Sequence, residues 1–61
     1  MIEILIVEDE KPISDLIRLN LMKAGYSCTC AFDGMEAADI LEERNFDLII
    51  PVSYTHLRAH E

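Results

Sequence analysis

Within residues 1–50 three short apolar runs alternate with two stretches of helical periodicity, and that alternation admits few folds. Ile2, Ile4, Leu5, Ile6 and Val7 form the first run, broken only by Glu3 and ending abruptly at Glu8-Asp9-Glu10. A run of β-branched residues and leucine without polar alternation predicts a strand over residues 2–7 that is buried on both faces, as in parallel sheets. Pro12 suits the first turn of a helix, where its missing N–H costs nothing. Ile13, Leu16, Ile17, Leu21 and Ala24 then recur at helical spacing, which predicts a helix over residues 12–24 with one apolar stripe. Gly25 can take the left-handed conformation that ends a helix.

The pattern then repeats. Residues 26–32 predict a second strand, and Asp33 followed by Glu36 has the spacing of a capping box, with Asp in place of Ser or Thr. A second helix to residue 43 would bury Ala37, Ile40 and Leu41 and expose Glu36, Asp39, Glu42 and Glu43. Residues 46–50 predict a third strand, apolar except for Asp47. The order β-α-β-α-β defines an α/β fold, with helices long enough for right-handed crossovers between parallel strands.

Composition sets the limits. A chain of 61 residues makes one small domain at most, and 12 acidic against 5 basic residues give a net charge of −7. That charge argues against direct binding to nucleic acid or to an anionic membrane surface. At 51% hydrophobic content the chain is not an acidic disordered tail. The start Met1-Ile2-Glu3 is followed by neither a signal peptide nor a membrane span, so a cytoplasmic location is expected. Cys28 and Cys30 are separated by one residue, which matches neither a redox C-x-x-C nor a zinc knuckle, and two reduced thiols are expected.

In open parallel sheets ligands bind beyond the carboxyl ends of the strands. The first strand brings Glu8 and Asp9 to that edge. Nucleotide sites place glycines and backbone N–H groups there, but the sequence has neither G-x-G-x-x-G nor G-x-x-x-x-G-K-[ST], and its carboxylates would repel a phosphate. Clustered carboxylates suit a hard divalent cation with oxygen ligands, Mg²⁺ being the usual candidate. The plainer alternative is that Glu8, Asp9 and Glu10 only complement the positive end of the first helix.

Four segments together carry a family resemblance. Ile4-Leu5-Ile6-Val7-Glu8-Asp9-Glu10, residues 21–26 with Gly25, Ala31-Phe32-Asp33-Gly34-Met35-Glu36-Ala37, and Asp47-Leu48-Ile49-Ile50 resemble the N-terminal half of a bacterial response-regulator receiver domain. They are most similar to receivers that precede a DNA-binding output domain. The resemblance implies a flavodoxin-like doubly wound sheet of order 2-1-3-4-5, of which this chain would supply strands 2, 1 and 3. It implies phosphoryl transfer from a sensor histidine kinase to an aspartate ending the third strand, beside Mg²⁺ held by Glu8 and Asp9. Asp33 inherits no such role, and Asp47 starts the third strand at the opposite end from the site.

The departures are equally specific. After Ile50 the family pattern continues with an apolar residue and the phosphoacceptor aspartate, whereas this chain has Pro51 and Val52. The phosphoacceptor is therefore missing, and the fragment is expected to be inactive and not an enzyme. Residues 51–61 change in character: Arg58 and Glu61 cancel, and both histidines fall here. The segment resembles a translated sequencing adapter fused to a truncated frame, which divides the chain into a partial receiver over residues 1–50 and a non-native tail. His56 and His60 have i, i+4 spacing, but no glutamate completes a zinc-protease pattern. A degenerate receiver-like module that binds a protein partner without phosphorylation is the alternative function, and a nucleotide-binding enzyme fragment is disfavoured by the acidic loop. The third strand would be left as an apolar edge.

Overall fold

A computed structural model describes residues 1–51. Val52, His56, Arg58, His60 and Glu61 lie outside the described residues. The elements run β1 (Glu3–Val7), α1 (Lys11–Lys23), β2 (Ser27–Ala31), α2 (Gly34–Glu43) and β3 (Leu48–Pro51). The three strands form one parallel sheet in the order β2-β1-β3. Because β2 and β3 flank β1 on opposite sides, right-handed crossovers place α1 and α2 on opposite faces.

The central strand is the most apolar one. Ile4, Leu5 and Ile6 are buried, with Leu5 and Ile6 fully enclosed. Leu5 joins Ala31 and Ala37 in a core to which Val7, Ile40 and Phe46 add partial cover. This fixes α2 on the face that carries Leu5, Val7 and Ala31, while α1 meets β1 and β2 from the other side.

Helix ends follow the local sequence. Gly25 has φ +100°, a conformation that only glycine adopts cheaply, and it closes α1 in a Schellman turn. There the Tyr26 N–H donates to the Leu21 carbonyl at 3.1 Å and the Gly25 N–H to Met22 at 3.0 Å. At the start of α2 the Asp33 carboxylate accepts from the Glu36 N–H at 2.8 Å. The Glu36 carboxylate reaches one residue further back than a standard capping box, accepting from the Phe32 N–H. Replacing Asp33 with alanine is expected to weaken α2 by about 1 kcal/mol. Faster amide exchange at Glu36 and Ala37 would report it.

Three expectations are corrected. Leu41, expected on the inner face of α2, is exposed, while Ala37 and Ile40 turn inward. The predicted stripe of α1 is only partly used: Ser14 is buried and Ile17 and Leu21 are half-buried, but Ile13 and Leu16 are exposed, Leu16 at 61%. Ala24 is the C-cap and is exposed as well. The stripe is wider than the two-strand surface it meets, so among the described residues its outer shoulder has nothing to rest on. The third strand starts later and runs further than predicted, through Pro51, which pairs in register with Val7. A proline is tolerated at that position because it ends an edge strand, where its missing N–H removes no interior ladder bond.

The entry to β3 is held by a backbone clip. Asp47 N–H donates to the Glu3 carbonyl at 2.8 Å, and the Asp47 carboxylate accepts from the Glu3 N–H at 2.8 Å. Arg44 closes the same corner, with Nη2 3.1 Å from Glu3 Oε1, Nη1 donating to Thr29 Oγ1 at 3.3 Å, and the guanidinium 5.0 Å from the centroid of the Phe46 ring.

Candidate metal centre

The site is built from the end of β1. Glu8 extends the β1–β2 ladder by one bond, its N–H donating to the Ala31 carbonyl at 3.0 Å. Glu8 is 4% exposed, an unusual position for an acid without compensation. Compensation comes partly from the backbone, as Glu8 Oε2 accepts from the Glu10 N–H at 2.8 Å. That bond curls the chain back on itself directly before α1.

Glu10 is the N-cap of α1, with extended φ and ψ, and its carbonyl receives the N–H groups of Ile13 and Ser14. Its side chain makes no capping bond. The Glu10 carboxylate is therefore not consumed by the helix end, and it gathers with those of Glu8 and Asp9. One oxygen from each of the three lies within 4.8 Å of the others, with Glu8 buried and Asp9 and Glu10 exposed. Lys11 is turned to Asp15, at 3.5 Å, on the exposed face of α1.

The donor set fits a hard divalent cation. Three carboxylates converging at a strand end offer only oxygen ligands, and a mixture of one rigid buried group and two solvent-facing ones leaves room for water, as Mg²⁺ requires. The positive end of α1 also favours negative charge here, so the helix dipole contributes to holding the cluster in place. The neighbouring cleft, of about 40 Å³ and lined by Lys11, Ser14, Asp15, Cys30, Ala31 and Phe32, is far too small for a nucleotide.

Both predicted ligands, Glu8 and Asp9, fall in this cluster, and Glu10 joins them. The signal for Glu10 was its sequence position two residues after Glu8, where the loop can fold one carboxylate toward the other. Asp33 serves as a helix cap and Asp47 belongs to the clip at the opposite end of the sheet, so neither belongs to the loop. Val52, the residue at the expected phosphoacceptor position, lies outside the described residues. Among the described residues no helix is long and apolar enough to cross a membrane. No known protein-family model matches the chain.

Proposed function

We propose that residues 1–50 are the N-terminal half of a response-regulator receiver domain from a two-component phosphorelay. The observation that carries this reading is the placement of Glu8, Asp9 and Glu10 together at the carboxyl end of the central strand of a parallel 2-1-3 sheet. In the intact parent, a cytoplasmic protein, a sensor histidine kinase donates the phosphoryl group to an aspartate ending the third strand, and the outcome is regulated transcription. Glu8 anchors the loop by accepting the Glu10 N–H, and Asp9 would present its carboxylate to a cation bound there. Bound there, Mg²⁺ would neutralise charge on the transferred phosphoryl group. The chain itself has Val52 where that aspartate belongs, so it cannot form the acyl phosphate and is not an enzyme.

Residues 51–61 fit this reading as a non-native tail. A genomic read giving an apolar residue and aspartate after Ile50 would support truncation of a receiver. A genuine stop after Glu61 would favour the second reading, a degenerate module that binds a protein partner without phosphorylation. The exposed edge strand β3, with Leu48 at 52% and Ile49 at 44%, is what favours that alternative.

The chemistry has its own test. Incubation with a small phosphodonor and Mg²⁺ is expected to leave the mass of the chain unchanged. A base-labile adduct of phosphoryl mass on any carboxylate would defeat the assignment of Val52 as the missing acceptor.

A further inference from the structure

Cys28 and Cys30 are alternate residues of β2, so their side chains leave the same face of the sheet. In register they lie beside Ile4 and Ile6 of β1, on the side that α1 covers. Both thiols are free and half-buried, and β2 is an outer strand, so the pair is sheltered from above and open along one edge. Cys30 and Arg18 of α1 both act on Cys28. Cys30 also lines the cleft beside Lys11.

We propose that Cys28 and Cys30 form a two-thiolate site for a soft monovalent metal ion of the copper(I) class. Three alternatives are weaker, on geometry, ligand number and ligand type in turn. Alternate strand residues are about 6.6 Å apart, at the upper limit of the Cα separation of about 4.4–6.8 Å that a disulfide spans. Same-face Cβ atoms of alternate residues stand about as far apart, beyond the Cβ separation of about 3.5–4.5 Å in a disulfide, so a direct S–S bond would distort the strand, whereas an ion placed between the sulfurs lengthens the bridge. Zinc needs four ligands, and among the described residues the only group of three or more potential ligands is Glu8, Asp9 and Glu10. Hard cations are excluded by ligand type, since thiolates select soft ions.

Binding breaks two S–H bonds and forms two S–metal bonds, and both protons leave to solvent. The product is a dithiolate complex of charge −1, which the Arg18 guanidinium offsets in part, and no electron is transferred. Burial, and then the neighbouring Cys30, push the Cys28 thiol above its ordinary pKa, while Arg18 opposes the shift. Uptake is accordingly expected to strengthen as pH rises.

The test is an anaerobic copper(I) titration of the full chain against a competing chelator, followed by ultraviolet charge-transfer absorption and native mass spectrometry. One ion per chain is expected. Cys28→Ser and Cys30→Ser should each weaken binding by about a hundredfold, because either change removes the second, intramolecular bond. The double variant Cys28→Ser with Thr29→Cys keeps two thiols but puts them on opposite faces of β2, and it should bind as weakly as the single variants. Two ions per chain, full affinity in either serine variant, or full affinity in the double variant would each overturn the site.

Discussion

The purified chain is expected to lose structure gradually on heating, without a sharp reversible transition. Among the described residues its buried apolar set is Ile4, Leu5, Ile6, Ala31 and Ala37, and two of those five are alanines. Large apolar side chains left in contact with water outnumber these, among them Leu16, Leu19, Met35, Leu48 and Ile49. A chain of this length gains no more than about 3–5 kcal/mol from a single core even when that core is well formed. Here α1 covers less of the sheet than its apolar stripe could, and β3 is attached through β1 alone among the strands. Differential scanning calorimetry at two protein concentrations is the measurement. A narrow, concentration-independent peak with matching calorimetric and van't Hoff enthalpies would show that the described body is a cooperative unit after all.

Leu5→Ala is expected to remove the remaining ordered population. Leu5 is fully enclosed at the junction of β1, β2 and α2, and truncating such a side chain costs about 2–5 kcal/mol. That loss is as large as everything the fold can gain. Leu16→Ala is the matched control, since the same chemical change at a 61% exposed position on α1 should stay within about 0.5 kcal/mol. Far-ultraviolet circular dichroism and amide chemical-shift dispersion should collapse for Leu5→Ala and persist for Leu16→Ala. Equal behaviour of the two variants would refute the packing of the sheet.

Much of this architecture was readable from local signals. An apolar run without alternation marked β1 as a strand buried on both faces, Gly25 marked the end of α1, and the Asp33–Glu36 spacing marked the start of α2, while the 2-1-3 strand order came only from the resemblance. Each of these depends on residues within one or two turns of chain. What escaped depends on surfaces that meet across the fold. Ser14 is buried because of where α1 rests on β1 and β2, a contact that helical spacing does not encode. Arg44 follows α2, yet its guanidinium reaches Glu3 on β1 and Thr29 on β2, two strands that only the folded chain brings beside it. Asp47 reads as a polar break in a strand and turns out to hold the Glu3 backbone. In the acidic loop the placement of Glu8, Asp9 and Glu10 at the strand end was visible from position alone, but the turn that gathers their carboxylates, made by the Glu10 N–H on Glu8, was not.

The clip between Glu3 and Asp47 joins residues 44 positions apart. Since β1 is the middle strand, neither of its ladders is local, and the last of them cannot close until Asp47 is in place. Closing so long a segment carries an entropic cost before any pairing returns it. During synthesis the first strand therefore emerges as an exposed Ile-Leu-Ile-Val segment with no neighbour until Ser27–Ala31 follow, and its second edge stays open until Leu48–Pro51 are made. The sheet is ordered by its first residues but assembled by its last, and over that interval β1 is the stretch a chaperone would be expected to hold.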